Sequence, residues 1–173
     1  MSADADVLDP STPARAWVFG DDIDTDQIVP SRFIVSSDPD ELAAHAFNDL
    51  RPGFADEVSP GDFVVAGENF GSGSSREQAP LALAGAGVSG VVAQSFARIF
   101  FRNAINLGIP VLICPDADRI EDGDEISMDV DSGVVTNHTR EETYDAESLP
   151  DFLQELVEQG GLKPYTKAKL GTD

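Results

Sequence analysis

The sequence is poor in cysteine and histidine. Among 173 residues it has one cysteine, Cys114, and two histidines, His45 and His138. A single cysteine excludes an intrachain disulfide and a cluster held by several thiolates of this chain alone. The histidines lie far apart and in no metal-binding spacing, so we expect no metal site. The apolar neighbours of Cys114 in "VLICPD" predict a buried structural thiol.

Basic residues are also scarce. The chain has 11 Lys and Arg against 32 Asp and Glu, a net charge of -21, and its lysines are confined to Lys163, Lys167 and Lys169. Such a field repels nucleic acids and anionic membranes. It suits a salt-rich, halophilic cytoplasm, because about 1 M salt screens charges within about 3 Å. We therefore interpret most carboxylates as a salt-adapted surface rather than as functional groups.

Long apolar runs are absent. No run approaches the roughly 20 residues that span a bilayer. The first residues, "MSADADVLDP", lack the basic region of a signal peptide, so we expect a cytoplasmic protein. With 41% hydrophobic residues, the chain is typical of one globular domain over 1–173, with loose tails at about 1–14 and 166–173.

The central part of the sequence predicts an α/β fold with a β-α-β-α-β core. Buried strands are predicted in "GDFVVAGENF", "GVVAQ" and "IPVLICP". One connecting helix is predicted to begin at Ser74 in "SSREQAPLALAGAG", with Ser74 and Glu77 as a capping box. Pro80 is expected to shorten or kink it. The other, "SFARIFFRNAINLG", is expected to stop at Gly108. This alternation is typical of a parallel, buried sheet.

Three further elements are predicted around this core. "SDPDELAAHAF" predicts a helix with Asp38 as N-cap, Pro39 at the first position and Glu41 completing a capping box. "DEISMDVDSGVVTNHT" predicts a hairpin that turns at "Asp-Ser-Gly". "LPDFLQELVEQGG" predicts a closing amphipathic helix.

The segment "GENFGSGSSREQAP", residues 67–80, is the first candidate site. It joins a predicted strand to a predicted helix, where free N–H groups and the helix dipole favour an anion. Gly71 and Gly73 permit close approach of a ligand, and Arg76 can bind a carboxylate or phosphate. The segment is not a Walker loop, a dinucleotide fingerprint or a nucleophile elbow, so a serine hydrolase is unsupported. An ordinary helix cap with a solvated arginine is the simpler alternative.

The segment "GDDIDTDQIVPSRF", residues 20–33, is the second candidate site. Asp22, Asp24 and Asp26 match the first half of a calcium loop. Gln27 stands where the loop needs glycine, and Phe33 where it needs a bidentate glutamate, so calcium is not expected. A solvated acidic turn is the simpler alternative, although the uncharged "QIVP" indicates that the acids lead into a packed element.

Three motifs together resemble one family. "DIDTDQIVPSRF", "GENFGSGSSREQAP" and "AQSFARIFFRNAINLGIPVL" are similar to the small subunits of 3-isopropylmalate dehydratase, split relatives of aconitase, from about Trp17 to the C-terminal helix. The resemblance implies a swivelling β/β/α domain with an added hairpin and C-terminal helix, docked on a large subunit. It also implies that the large subunit, and not this chain, holds a [4Fe–4S] cluster on three cysteines, which agrees with a single cysteine here.

The resemblance implies a hydro-lyase of leucine biosynthesis. In this family, water leaves 2-isopropylmalate and returns at the neighbouring carbon, through isopropylmaleate, while the open iron acts as a Lewis acid. Ser74 is implied as the base, supported by Ser75 and the N–H groups of the loop around Gly73. Arg76 is implied to bind a substrate carboxylate, and Asp26 to be an active-site aspartate. Ser74 cannot be both base and helix cap in one protonation state.

The resemblance also places substrate specificity just after Pro30. The residues from Phe33 to Ser36 are implied to cover the substrate side chain, with Ile34 and Val35 facing it. An arginine at the position of Val35 accompanies substrates with an extra carboxylate, such as homoaconitate, so an apolar Val35 suits an isopropyl group. The simpler alternative is that Ile34 and Val35 pack in the core.

Further arginines are assigned lesser roles. Arg32 is a candidate second carboxylate ligand, and Arg98 and Arg102 are interpreted as structural or interface residues. Two alternatives stay open: the same chemistry on homoaconitate or citramalate, and a non-catalytic anion-binding or regulatory domain. An enzyme subunit should need its partner for activity, whereas a binding module should hold its ligand alone.

Overall fold

The structure is a computed structural model that describes residues 9–73 and 76–158. It contains a seven-stranded sheet in the order β4-β3-β2-β1-β5-β6-β7. Strands β1 to β4 are parallel, and β5 to β7 are antiparallel to their neighbours. The strands are β1 Ala14–Val18, β2 Phe63–Ala66, β3 Gly90–Ala93, β4 Val111–Ile113, β5 Glu125–Asp129, β6 Val134–Asn137 and β7 Glu142–Asp145.

The parallel half of the sheet confirms the predicted β-α-β-α-β core. Every residue of β2 and β3 is buried, which explains their continuous apolar sequences. Helix α4, Gln78–Gly85, joins β2 to β3, and helix α5, Arg98–Asn106, joins β3 to β4. Gly108 follows α5 with φ of +85°, as expected of a glycine that ends a helix.

The predicted start of α4 at Ser74 is wrong. The helix begins at Gln78, and its N-cap is Glu77, whose side chain makes no capping hydrogen bond. The proposed Ser74–Glu77 capping box is therefore wrong as well. Pro80 is the third residue of the helix, where its missing N–H removes no intrahelical bond, and α4 begins later than the predicted helix.

The helix after the acidic segment is confirmed, with one correction to its cap. Asp38 caps α2, Pro39–Ala43, by accepting from Asp40 N at 2.9 Å. The predicted reciprocal bond from Glu41 is wrong, because Asp38 N donates to Ser36 Oγ at 3.2 Å and the Glu41 carboxylate binds the same hydroxyl. The remaining helices are α1 Thr25–Ile28, α3 Phe54–Glu57 and α6 Asp151–Glu158. The predicted glycine end of α6 lies outside the described residues.

The antiparallel half confirms the predicted hairpin. Strands β5 and β6 pair in register from Ile126 with Asn137 to Asp129 with Val134, and Gly133 in the turn has φ of +72°. Strand β7 was not predicted. It is short, and only Tyr144 of its four residues is buried, so it has little apolar signal.

An aromatic cluster fills the core beneath the carboxyl end of β1. The Phe19 and Phe47 rings stack at 4.1 Å, and Trp17 packs edge-on against Phe54 at 4.9 Å. Trp17 Nε1 donates to the buried Asp62 at 2.9 Å.

Cys114 is fully buried as predicted, and burial raises the pKa of its thiol, which favours the unreactive protonated form. None of the helices in the described ranges has the length and apolar character needed to cross a membrane.

Candidate functional site

Three loops meet at the carboxyl ends of the parallel strands β1, β2 and β3. The loop after β1 contains the acidic segment, and the loop after β2 contains the glycine–serine segment. Asp22 N donates to Glu68 O at 2.8 Å, and Gly71 N donates to Ile23 O at 2.7 Å. Thr25 N then donates to Ser72 O at 2.8 Å. The two segments singled out in the sequence therefore lie side by side, at the edge where open α/β sheets bind ligands.

The loop after β3 completes this edge. Phe70 N donates to Ser95 O at 3.1 Å, and Ala97 N donates to Phe70 O at 2.9 Å. The hydroxyl of Ser95 also accepts from Asn69 N at 2.7 Å. The glycine–serine loop is thus held on both sides by backbone hydrogen bonds, which fix its path independently of most side chains.

The acidic segment is a capped helix rather than a solvated turn. Asp24 Oδ1 accepts from Gln27 N at 2.8 Å, and Gln27 Oε1 accepts from Asp24 N at 3.0 Å, which forms a full capping box. The following Ile28 and Val29 are fully buried, so the prediction that the acids lead into a packed element is confirmed. The sequence signal for α1 is a capping-box pattern, D-x-x-Q, directly before an apolar pair.

Two glycines shape the loop in different ways. Gly71 has φ of +87°, and a Cβ at this position would lie 2.3 Å from Phe100 Cγ. Only glycine fits there, because both the backbone and the space exclude a side chain. Gly73 has φ of +94° but is exposed, and a Cβ would meet Asp24 Cβ only at 3.4 Å. At position 73, glycine is therefore required by the positive φ and not by crowding from neighbouring atoms.

Asp26 and Arg76, predicted from separate motifs, come together. Arg76 Nη1 lies 3.9 Å from Asp26 Oδ1, and that oxygen accepts from Ser31 N at 2.9 Å. Arg76 Nη1 is buried and has no hydrogen-bond acceptor in the residues that the structure describes. Ser74 and Ser75 lie outside these residues. Their sequence neighbours, Gly73 and Arg76, both border α1.

Arg32 is engaged with another side chain. It lies in a 3₁₀ turn, Ser31–Phe33, and its Nη1 and Nη2 bind the two carboxylate oxygens of Asp49 at 2.8 and 2.5 Å. This hydrogen bonding holds the pKa of Asp49 below its ordinary value. The Arg32 guanidinium also lies 4.5 Å from the Phe33 ring centroid. A role in substrate binding would require Arg32 to exchange partners.

Ile34 and Val35 differ in their burial. Ile34 is half-buried and packs against the core, whereas Val35 is 84% exposed. The alternative that both residues pack in the core is therefore wrong for Val35. Phe33 stacks on His45 with ring centroids 3.9 Å apart, which anchors the segment just before Val35.

A cleft of about 540 Å³ opens beside the glycine–serine loop. Its described lining consists of Gly71, Gly73, Ala97, Arg98, Ile99 and Arg102. The cleft is thus shared between the loop after β2 and the first turns of α5. No motif in the sequence places Arg98 and Arg102 beside this loop.

A serine–histidine pair does exist, but away from this edge. Ser127 Oγ and His138 Nε2 lie 2.8 Å apart on the β5–β6 hairpin. The nucleophile of α/β hydrolases sits instead on a sharp turn from strand to helix. We interpret the pair as a contact that stabilises the hairpin.

The comparison with known proteins decides the family. The small subunit of 3-isopropylmalate dehydratase from Methanosarcina mazei is 58% identical over 153 residues, which cover 88% of this chain and 94% of that protein. The chain belongs to the 3-isopropylmalate dehydratase small-subunit family. A second member, small subunit 1 from Archaeoglobus fulgidus, is 58% identical over 154 residues and covers 89% of this chain. The match spans 96% of that relative.

Family profiles and solved structures agree with this membership. The Aconitase C-terminal domain profile matches residues 54–116, which include β2, the glycine–serine loop and α5. A crystal structure of 3-isopropylmalate dehydratase from Methanocaldococcus jannaschii has a TM-score of 0.87 and 42% identity. It covers 91% of this chain, and this chain covers 94% of it. The predicted aconitase-like fold and the resemblance drawn from the three motifs are both confirmed.

Proposed function

We propose that this chain is the small subunit of a hydro-lyase that interconverts 2-isopropylmalate and 3-isopropylmalate in leucine biosynthesis, in the cytoplasm. One observation carries the proposal: the two loops that bear the family motifs are tied together, and they bring Arg76 to Asp26 at the carboxyl edge of the sheet. Relatives named for this activity share 58% of the aligned residues. The chain supplies binding and proton-transfer groups to an active site completed by a partner.

Arg76 is the proposed ligand of a substrate carboxylate. Its buried Nη1 lacks a hydrogen-bond acceptor among the described residues, and Asp26 at 3.9 Å is too distant to provide one. A buried donor without a partner is unfavourable, so an incoming carboxylate gains both the charge and the missing bond. Asp26 keeps the guanidinium oriented while leaving this donor available.

Ser74 is the proposed base. Its oxygen accepts the proton from the carbon beside the one that loses the hydroxyl. When water then adds its hydroxyl to the carbon that lost the proton, Ser74 returns the proton to the carbon that lost the hydroxyl. A serine hydroxyl is a weak base at its ordinary pKa, so its alkoxide needs nearby donors and positive charge. Arg76 follows it by two residues in the sequence, and Ser75 and the N–H groups around Gly73 are proposed to contribute the remaining donors.

The proposed partner is a large subunit that carries the [4Fe–4S] cluster. Cys114 is the only cysteine of the chain and is fully buried, so three thiolate ligands cannot come from this subunit. Within the described ranges, no group of three or more His, Cys, Asp or Glu residues is placed to hold a metal. When bound on the partner, the cluster would supply a Lewis acid for the departing hydroxyl.

Val35 is proposed to contact the isopropyl group of the substrate. Being 84% exposed, it has apolar surface available to a ligand or partner. Burying an isopropyl group contributes about 1.5–3 kcal/mol, whereas an extra carboxylate there would lack a partner. Ile34 supports this segment from the core side. Arg32 is proposed as a second carboxylate ligand, since both it and Asp49 are more than half exposed, 57% and 51%, and such pairs exchange at little cost.

The deciding experiment is anaerobic reconstitution with the large subunit of the same organism. Formation of isopropylmaleate from 2-isopropylmalate would be followed for the wild type, for Ser74→Ala and for Ser132→Ala, a control in the exposed hairpin turn. We expect turnover only with both chains, its loss in Ser74→Ala and its retention in the control. Turnover that survives Ser74→Ala would move the base elsewhere.

The same assay separates the alternatives. Turnover of homoaconitate or citramalate in preference to 2-isopropylmalate would keep the chemistry and change the substrate. Binding of a dicarboxylate by the isolated chain, with no turnover in a cluster-loaded complex, would favour a regulatory anion-binding domain.

A further inference from the structure

Arg98 and Arg102 stand out because they are unpaired cations on a strongly acidic protein. Both are exposed on α5, one turn apart, and both line the cleft beside the glycine–serine loop. Neither has an ion pair or hydrogen bond with another side chain within residues 9–73 and 76–158. Five other arginines each have a carboxylate within ion-pair distance: Arg32, Arg51, Arg76, Arg119 and Arg140.

The lack of ion pairs at Arg98 and Arg102 is informative because the protein is strongly acidic. With 32 carboxylate side chains in the sequence, an exposed arginine readily finds a local partner. Two arginines at positions i and i+4 that both lack one leave a local positive patch in a field of net charge -21. Because the two arginines form no ion pair that stabilises the fold, their positive charge is available to bind an anionic group of another molecule.

An apolar side chain lines the cleft together with the two arginines. Ile99 is 50% exposed and lines the same cleft, whereas Phe100, Ala104 and Ile105 of α5 are buried. Helix α5 therefore has a completed core face and an outer face of arginine and isoleucine. Arginine beside exposed apolar surface is typical of protein interfaces.

We propose that this cleft docks a segment of the large subunit that presents a carboxylate to Arg98 and Arg102 and an apolar side chain to Ile99. The inference rests on the proposed function, which supplies the partner. A partner segment is favoured over the substrate because the described lining of the cleft includes neither Arg76 nor Asp26. Nucleic acid is disfavoured by the net charge of -21.

The position of the cleft explains what such docking would achieve. Gly71 and Gly73 line the cleft, and they belong to the loop whose sequence continues into Ser74 and Arg76. A partner seated on α5 would cover the glycine–serine loop from one side and exclude water from it. Docking and completion of the active site would then be one event.

The test is the affinity for the cluster-free large subunit, measured by isothermal titration calorimetry without substrate. The double variant Arg98→Glu/Arg102→Glu should weaken the dissociation constant by at least about tenfold, and Ile99→Ala should weaken it to a smaller extent. Arg98→Lys/Arg102→Lys should keep most of the affinity. The matched control is Arg119→Glu, another exposed arginine, which is not among the described lining of the cleft and has a 64% exposed side chain. It should change the affinity by less than about twofold.

Three results would overturn the docking surface. The first is a dissociation constant for the double glutamate variant within about twofold of the wild type, with an unchanged thermal midpoint. The second is an unchanged dissociation constant with a raised KM for 2-isopropylmalate, which would assign the cleft to the substrate. The third is the absence of any binding by the wild type.

The proposed function fails by a different result. A wild-type chain that binds a cluster-loaded large subunit without forming isopropylmaleate would refute the reaction and leave the docking surface intact. A rise in the wild-type dissociation constant with salt, reduced in the double glutamate variant, would further support docking by charge.

Discussion

Arg76 reaches Asp26 across two loops without forming a hydrogen bond with it. The 3.9 Å separation between Nη1 and Oδ1 permits electrostatic attraction, while the carboxylate oxygen is already used by Ser31 N at 2.9 Å. The pair therefore orients the guanidinium but leaves its buried Nη1 without an acceptor among the described residues. This arrangement suits a group that must bind a carboxylate reversibly.

Arg76→Lys tests this role. Lysine keeps the charge but loses the planar fork that binds both carboxylate oxygens, so we expect kcat/KM for 2-isopropylmalate to fall about 100-fold. Steady-state rates of the reconstituted complex measure the loss, and Arg119→Lys serves as the matched control. Equal activity of the two variants would show that Arg76 acts only as a surface charge.

Val35→Arg should change the substrate preference without changing stability. Because Val35 is 84% exposed, the thermal midpoint should stay constant. We expect kcat/KM for 2-isopropylmalate to fall by about tenfold, because an isopropyl group loses its apolar contact, and turnover of homoaconitate to become measurable. Leu50→Arg, at another exposed apolar residue, should leave both activities unchanged. Unaltered preference in Val35→Arg would remove this residue from the substrate site.

Gly71→Ala should destabilise the fold through both crowding and backbone strain. Its Cβ would lie 2.3 Å from Phe100 Cγ, and φ is +87°, so we expect a loss of about 2–4 kcal/mol in the free energy of unfolding. Gly61→Ala isolates the strain, since φ there is +100° and no atom lies within 4 Å of the added Cβ. That control should lose only about 1–2 kcal/mol in urea titrations. Similar losses for the two variants would mean that Phe100 moves aside freely.

Asp124 should make the free energy of unfolding depend on acid pH. Burial raises its pKa, but hydrogen bonds from Asn137 Nδ2, Glu121 N and Arg140 Nε, at 2.9, 2.9 and 3.0 Å, outweigh burial, so the pKa lies below its ordinary value. A carboxyl with a lowered folded-state pKa stabilises the fold fully above its unfolded-state pKa of about 4, and the stabilisation disappears as the pH falls through the folded-state value.

Asp124→Asn removes this contribution. At pH 7 we expect a loss of about 2–3 kcal/mol in the free energy of unfolding, because three donors lose a charged acceptor. Urea titrations between pH 7 and pH 3 should show a smaller acid-dependent decline than in the wild type. The exposed Asp56→Asn on α3 is the control and should follow the wild-type curve. Parallel curves for Asp124→Asn and the wild type would contradict the assignment.

The parallel core and the hairpin could be predicted because their residues carry a strong local signal. Strands β2 and β3 are continuous apolar runs, and Gly133 and Gly108 mark a turn and a helix end. Ser74, with Glu77 three residues later, matches the capping-box pattern, yet α4 begins at Gln78. The sequence pattern alone does not determine which residue makes the first helical hydrogen bond. Strand β7 is held by pairing with β6 rather than by its own sequence.

The site was predictable in its parts but not in its assembly. Asp26 and Arg76 belong to motifs that the sequence displays, but their approach depends on backbone bonds between two distant loops. Backbone bonds leave little trace in side-chain identity. Likewise, the engagement of Arg32 by Asp49 and the exposure of Val35 follow from tertiary packing, which no pattern within "SRFIVSSDP" reveals.

The backbone hydrogen bonds between the two loops determine how the site responds to ionic strength. The bonds from Gly71 N to Ile23 O and from Thr25 N to Ser72 O join uncharged groups. Mobile ions weaken attraction between exposed charges, but they have little effect on such neutral, short-range bonds. The framework around the reacting groups should therefore keep its dimensions from dilute buffer to concentrated brine, while the acidic exterior responds to every change in ionic strength.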